Sequence, residues 1–462
     1  MGRNFLLNIA KHGIASVGYD VDAGKRELLL KEGAGMPLDV GNDLTDFLSK
    51  LESPRNIMLL VPAGPIVDSV IGELSPLLAA GDLIIDGGDS HFSDTDRREA
   101  ELLSKNLGFL GVGVIGSESR GRHGASIMVG GRLDFYERVE TALKAAAFDF
   151  NGPCLEYLGA GSAGHFVKMV HDGIESALMQ LIAEVYDYMR RVLRMNIVLT
   201  GKAFAEWNDD ELSSYLLAIT ARILNKYDRE TRNPLIDMIV DAAGQNATLK
   251  WTSQAAMEFG VPIPTIDAAV SASQISARKL LRQEIAQRFQ VPANGYKVLP
   301  KADLEEVRDA LYCGSILAYE QGFSLLREVS REKSYGLDLE KAAGVWRYSS
   351  IIFSSVLEKI RKAYAAEPAL RTLLLHEGFS DILYKHGAGL RRVVSSMSSS
   401  RIPAAALSAS LNYYTSFRTE RLPAFLTQAQ RDYAGAHKYQ RIDKEGTFHT
   451  DDWDDPTLST SK

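Results

Sequence analysis

Near Ala163 the chain changes its hydrophobic period, and that change divides it into two kinds of structure. Before it, short unbroken apolar runs alternate with helical spacing. Residues 15–19 end at Asp20, residues 56–61 are stopped by Pro62 and Gly64, residues 83–85 run into Asp86-Gly87-Gly88, and residues 109–114 run into Gly116. Residues 66–79 and 95–105 carry helical patterns between them. Buried parallel strands read as continuous apolar runs, and helices alternating with them imply βαβ units. Beyond Ala163, apolar residues recur at i, i+3 and i+4 through residues 166–193, 212–224, 304–329 and 342–364, punctuated by Pro262, Pro264 and Pro292. That pattern predicts a large all-helical domain. From about Glu420 the chain turns polar, contains Pro423, and ends near the acidic stretch 451–455. It is too short for a domain and reads as a tail that packs on something else.

Composition excludes several classes. The net charge of −7 comes with no basic domain, which argues against nucleic acid as a partner. No run of eighteen apolar residues exists, so no transmembrane helix is expected. Residues 5–10 are apolar but are ended by Lys11-His12-Gly13, unlike a signal peptide. Cys154 and Cys313 are far apart with no C-x-x-C, which excludes a cysteine zinc ribbon and suits a reducing compartment. The expectation is a cytoplasmic protein without a membrane partner.

The N-terminus is unusual for a dinucleotide-binding domain. Such a domain opens with a strand and then G-x-G-x-x-G, whose glycines let the backbone approach a pyrophosphate at a helix N-terminus. In this sequence only Met1-Gly2 precedes the amphipathic stretch 4–11, so the domain is expected to lack its first strand. Asp20 closes the next strand about 18 residues after Gly2, close to the spacing at which an acidic residue meets a ribose 2′-hydroxyl. A strand-end Asp in an ordinary turn would look the same.

The densest chemical constellation opens the first long helix. Lys168, His171, Asp172 and Glu175 sit at i, i+3, i+4 and i+7 and share one face. A desolvated Lys drops its pKa and can serve as a base, while a Glu against apolar walls can hold a proton and serve as an acid. A solvated face with i,i+4 salt links is the ordinary reading of such a quartet. Gly161 and Gly164 before it and Gly173 within it point instead to close approach by another segment.

This stretch resembles the catalytic helix of the 6-phosphogluconate dehydrogenase family, the decarboxylating enzymes of the pentose phosphate pathway. Residues 84–90 (IIDGGDS) resemble the family's IIDGGNS loop, residues 203–208 its AFxEWN, residues 243–252 its AGQKGTGKWT, and residues 422–437 its tail signature. Ala310-Leu311-Tyr312, Gln321-Gly322-Phe323 and Trp346-Arg347 fall in register. The resemblance implies a Rossmann-like α/β dinucleotide-binding domain over 1–161, an all-α substrate and dimerisation domain over 162–419, and a tail over 420–462 reaching the partner subunit of a homodimer. It implies oxidation of a 3-hydroxy sugar acid by NADP, then loss of CO₂. Lys168 matches the base that takes the 3-hydroxyl proton, and Glu175 the acid that protonates the resulting enediol. The substrate would meet Asp89, Gly116, Ser117, His171, Asp172, Ser176 and Thr248, with Arg431 and His437 supplied by the tail. The coenzyme would meet Gly2, Asp20, Val61, Ala63 and Asp89.

Departures from the family pattern cluster at the site. Asp89 and Asp172 stand where the family has asparagine, and residues 115–117 (Ile-Gly-Ser) where it has Ser-Gly-Gly. Ser176, Asn246 and Ser273 replace the Tyr, Lys and Arg that hold the substrate phosphate; Thr248 is kept. Each charge-assisted contact to phosphate is worth about 1.5–3 kcal/mol, so the losses weigh heavily unless Lys250, Arg278 or Lys279 compensates. Asp20-Val21-Asp22 replaces the family's Asn-Arg-Thr, and Pro62 its lysine after the third strand; two carboxylates repel a 2′-phosphate and favour NAD over NADP. A non-catalytic or substrate-shifted relative acting as a metabolite-binding dimer is the alternative, against which the retained Lys168, His171 and Glu175 count. No metal-ligand spacing joins Asp86, Asp89 and Asp172.

Overall fold

We describe the protein from a computed structural model, which covers residues 1–116, 124–149, 152–242, 247–289, 301–347 and 350–454. The first part alternates helices α1 (Gly2–Lys11), α2 (Ala23–Glu32), α3 (Leu44–Ser49), α4 (Pro65–Leu74), α5 (Phe92–Leu103) and α6 (Leu133–Ala146) with strands. The strands are β1 (Ser16–Gly18), β2 (Leu38–Val40), β3 (Asn56–Leu59), β4 (Leu83–Asp86), β5 (Gly108–Ile115), β6 (Ser126–Gly131) and β7 (Leu155–Gly159). They form two sheets. β1 and β2 pair in parallel; β3, β4, β5, β6 and β7 lie side by side in that order, parallel except for the antiparallel β5–β6 pair.

Both faces of the larger sheet are covered, as unbroken apolar strands require. Leu83 and Ile85 of β4 with Leu110 and Val112 of β5 face Phe5 of α1 and Tyr136, Val139 and Leu143 of α6. Their neighbours Ile84 and Phe109 face the other way, onto Phe47, Val67, Ile71 and Leu102 of α3, α4 and α5. This is the strand period of two at work. Val17 and Tyr19 pack on that second cluster beside Ile57 and Leu59, although β1 and β3 share no ladder.

The helical part comprises α7 (Ala163–Arg191), α8 (Ile197–Asn208), α9 (Tyr215–Leu224), α10 (Ala247–Glu258), α11 (Pro264–Ser276), α12 (Lys279–Arg288), α13 (Leu304–Lys333), α14 (Leu339–Val345), α15 (Ser355–Ala366) and α16 (Glu377–Ser399). The helix α17 (Ala405–Phe417) follows. α7 and α13 form the core of this part, and α13 is buried along most of its length. None of the helices among the described residues is long and apolar enough to cross a membrane.

One expected element is broken. Residues 342–364 read as a continuous helical stretch, but the structure splits them into α14 and α15. Two features end and restart the helix: Trp346 is fully buried, and Ser354 caps α15 by accepting from the Leu357 N–H. β2, β6 and β7 were not apparent as apolar runs, because each is short or carries glycine or charge.

The compact units of the chain are residues 1–411 and 412–462. In the second, α18 (Ala424–Gly435) is followed by the short antiparallel pair β8 (Tyr439–Gln440) and β9 (Thr447–Phe448). Asp432 is fully buried within it. Its carboxylate accepts from the Lys438 and Thr450 backbone N–H groups and the Trp453 indole, and pairs with His449 Nδ1.

Candidate active site

Parallel strands bind ligands beyond their carboxyl ends, and the candidate residues converge there. At the end of β4, Asp86 is wholly buried; its Oδ1 accepts the Gly88 N–H and its Oδ2 the Ser90 hydroxyl at 2.7 Å. Arg98 of α5, itself buried, donates to Asp86 Oδ2 at 3.2 Å and to Ser90 at 2.9 Å, and grips Asp68 through Nε and Nη2. This lattice shapes the turn that carries Asp89. The turn lies against the β3 loop: a Cβ on Gly88 would come 3.0 Å from the Val61 carbonyl oxygen, and one on Gly2 3.6 Å from the Leu60 Cβ. Gly2, the loop with Val61 and Ala63, and Asp89 are thus linked in a chain of neighbours. The N-terminus of α1 carries no side-chain cap, which suits an anionic group there.

α7 reaches the same edge because glycines let it lie directly on the sheet. A Cβ on Gly113 of β5 would fall 2.5 Å from the Lys168 Cβ, and one on Gly164 2.5 Å from the Gly111 carbonyl oxygen. Lys168 therefore stands over the strand ends. Its Nζ donates to both oxygens of Asp172, at 2.8 and 2.7 Å, and lies 3.4 Å from Asp89 Oδ1. His171 Nδ1 is 3.1 Å from Asp172 Oδ1 and 3.8 Å from Glu175 Oε2, while its Nε2 is 2.7 Å from Ser350 Oγ. His171, Asp172 and Glu175 have ligand atoms close enough to gather a metal ion, but the Lys168 ammonium already holds both Asp172 oxygens.

The electrostatics correct one expectation. Burial by itself would push the Lys168 ammonium down, as a desolvated base requires. Asp172 and Asp89, with Glu175 beyond, outweigh it and hold the ammonium above the ordinary lysine value. Burial likewise opposes the Asp172 carboxylate, but Lys168 and His171 keep it below the usual range. Burial pushes the Glu175 carboxyl up, and Asp172 adds to the effect; His171 and Lys168 pull the other way but do not outweigh it.

α10 closes one side. Thr252 donates to the Met169 carbonyl and fills the space left by Gly173, where a Cβ would meet its Cγ2 at 2.6 Å. Trp251 stands edge-on to His91, with ring centroids 5.0 Å apart. Thr248, one turn earlier, is buried with its hydroxyl unpartnered among the described residues. Gly116 ends β5 beside Ala125, and Ser176 and Ser273 are half-buried. Ser117 and Asn246 lie outside the described residues. The nearby cations are engaged elsewhere: Lys279 and Arg282 pair with Asp241, and Arg278 donates to the Gln274 carbonyl; Lys250 is exposed. Arg431 and His437 are exposed on the second unit.

On the coenzyme side, Asp22 caps α2 by accepting the Gly24 N–H. Asp20 accepts the Asp22 N–H, with Lys25 Nζ 3.5 Å from its other oxygen, and Arg26 donates to the Asp20 and Val21 carbonyls. Val21 is 86% exposed. The Asp20 carboxylate is thus flanked by Lys25 and Arg26 at the end of the strand. Sequence reasoning missed Arg98, Ser350 and the Asp432 hub. Ser350 carried no motif, and the Arg98 helix read as an ordinary amphipathic one.

A sequence model of the NAD binding domain of 6-phosphogluconate dehydrogenase matches residues 1–159, and one of the 6-phosphogluconate dehydrogenase C-terminal domain matches residues 164–453. The chain is 44% identical over 454 residues to the decarboxylating 6-phosphogluconate dehydrogenase of Synechococcus elongatus, covering 97% of this chain and 96% of that one. It is 43% identical over 452 residues to the NAD(+)-dependent decarboxylating enzyme of Bacillus subtilis, covering 97% of each. Among solved structures, the 6-phosphogluconate dehydrogenase of Plasmodium falciparum, described in complex with NADP+ and with 6-phosphogluconate, superposes with a TM-score of 0.93 over 97% of each chain at 37% identity. Along nearly its whole length, and in its fold, the chain belongs to the 6-phosphogluconate dehydrogenase family.

Proposed function

We propose that the chain catalyses the oxidative decarboxylation of 6-phosphogluconate to ribulose 5-phosphate, with NAD or NADP as hydride acceptor. The observation that carries this reading is the pair of ionisable groups two helical turns apart: Lys168, gripped by carboxylates, and Glu175, whose carboxyl burial pushes above its ordinary value. In the reaction, the Lys168 amine would take the proton of the 3-hydroxyl, and NAD or NADP, when bound, would supply the acceptor for the hydride from the same carbon. The β-keto acid loses CO₂, and Glu175 protonates the carbon that carried it. His171, locked by Ser350, orients the substrate. Gly2, Val61, Ala63 and Asp89 line the coenzyme's place, and Asp20 its adenosine ribose.

Incubation with 6-phosphogluconate and either coenzyme is expected to yield reduced coenzyme and CO₂ in equal amounts, with NAD binding more tightly than NADP. Asp20→Asn with Val21→Arg is expected to narrow or reverse that preference. Tighter NADP binding by the wild type would mean that Lys25 or Arg26 reaches the 2′-phosphate. No product with either coenzyme would leave a metabolite-binding role. Faster turnover of unphosphorylated gluconate would reassign the substrate, the outcome that Ser176 and Ser273 favour.

We also infer a cytoplasmic homodimer in which the second unit serves the partner's site. Phe425, Leu426 and Tyr433 expose apolar surface beside Arg431, in keeping with a segment that docks on another surface.

A further inference from the structure

Three side chains of α7 bring a nitrogen and two carboxylate oxygens together. His171 Nδ1 lies 3.1 Å from Asp172 Oδ1 and 3.8 Å from Glu175 Oε2, and one ligand atom from each of the three residues falls within 4.8 Å of the others. A tetrahedral zinc ion with bonds of about 2.0–2.2 Å holds its ligand atoms roughly 3.3–3.6 Å apart, so modest rotation of the carboxylates completes a triad. Two features outside the triad prepare it. The far nitrogen of the ring, Nε2, is 2.7 Å from Ser350 Oγ, which in turn accepts the Ile352 N–H at 3.1 Å. A partner on the far nitrogen fixes the ring of a metal-binding histidine, leaving Nδ1 turned toward the carboxylates. The second feature concerns Lys168, the cation that now occupies both Asp172 oxygens. Stranding a buried ammonium would oppose its displacement. Asp89 removes that obstacle, because its Oδ1 is already 3.4 Å from Lys168 Nζ. His171 is 1% exposed but Glu175 is 24% exposed, which gives an ion a way in.

We propose that His171, Asp172 and Glu175 form an inhibitory site for a divalent transition-metal ion of the zinc class. One imidazole and two carboxylates suit zinc and its neighbours, whereas magnesium and calcium take shells of oxygen. Three protein ligands leave a fourth position for water. The ion takes the place of the Lys168 ammonium on Asp172, and Lys168 turns to Asp89. The dication and the two carboxylates then balance in charge around a neutral imidazole. Protons carried by Glu175 or by His171 Nδ1 pass to the buffer as their atoms bind the metal. The loaded enzyme is inactive because Glu175 has no proton to give and the lysine is drawn away from its place on α7. The inhibition rests on the oxidative decarboxylation argued above; the binding does not.

The test uses the full chain, stripped of metal by a chelator and carrying no added histidine tag. Zinc is titrated by calorimetry, and cobalt by its visible absorption. The wild type is expected to bind one ion per chain, and cobalt to give the intense bands of a four-coordinate site. Asp172→Asn and Glu175→Gln, each with the wild-type unfolding midpoint, are expected to lose that binding. Ser350→Ala, which touches no ligand atom of the ion, is expected to weaken it about 10–100-fold. The same zinc is expected to stop formation of reduced coenzyme from 6-phosphogluconate by the wild type, and a chelator to restore it. His449, set between Asp432 and Asp451, is the competing place for an ion. Zinc that Asp172→Asn and Glu175→Gln keep, or that His449→Ala loses, overturns the site, as does a wild type that binds none. Bound zinc with an undiminished rate overturns the inhibition. A wild type that forms no reduced coenzyme even without zinc removes the functional reading, while the two titrations still decide the site.

Discussion

Arg98 holds together a loop that no motif of its own announces. Its guanidinium is buried between the Asp86 carboxylate, the Ser90 hydroxyl and Asp68, and Arg97 adds a second, exposed contact to Asp68. Removing one partner of a buried ion pair leaves an uncompensated charge, which costs about 3–5 kcal/mol. Arg98→Met should lower the denaturant midpoint accordingly, and should loosen the turn that aims Asp89 at Lys168. Unfolding free energy measured with and without coenzyme checks this. A loss no larger than that of the exposed Arg97→Met would contradict it. At this scale the sequence is partly legible. The spacing of Lys168, His171, Asp172 and Glu175 puts them on one face, because a helix repeats every 3.6 residues. It does not show that Asp172 grips Lys168 with both oxygens, which reverses the direction in which the lysine's proton affinity moves.

The elements divide between those whose register is set locally and those that depend on distant contacts. α7 was readable from its period. The break between α14 and α15, which delivers Ser350 to His171, was not, since it answers to the burial of Trp346 and the cap at Ser354. α18 and the strands after it form a unit organised by one carboxylate. Burial works against the Asp432 anion, but His449, Thr450, Trp453 and Lys438 together hold it down to about 2. A carboxyl depressed in the folded state adds stability above its unfolded value of about 3.9, and that stability is lost as pH falls through the folded value. The tail is therefore expected to stay ordered at neutral pH and to loosen between about pH 4 and 2, whereas Asp432→Asn loosens it at neutral pH. Limited proteolysis and exchange of the Trp453 indole N–H report this. Equal protection in wild type and variant at pH 7 would contradict it.

At the scale of the whole molecule, the two-part architecture followed from the change of period at Ala163, and the structure bears it out. The division into two sheets, with no ladder between β1 and β3, was not legible from the apolar runs, which do not say which strands pair. The antiparallel β6 had no readable signal, because apolar runs carry no direction. A tail that serves its partner makes a specific prediction for mixed dimers. Lys168→Met and Arg431→Ala proteins, each weakened alone, should regain activity when their subunits exchange. One site of the hybrid then carries both lesions and the other carries neither. Absence of recovery despite demonstrated exchange would assign the tail to its own subunit.

The central claim is that Lys168 is the base of an oxidative decarboxylation. The most direct measurement is the rate of reduced-coenzyme formation from 6-phosphogluconate in wild type and Lys168→Met, alongside coenzyme affinity and unfolding midpoint. Removing a general base costs about 10²–10⁴ in rate. The account predicts a loss of that size with coenzyme affinity and fold unchanged. A Lys168→Met protein that kept more than about a tenth of the wild-type rate would contradict it.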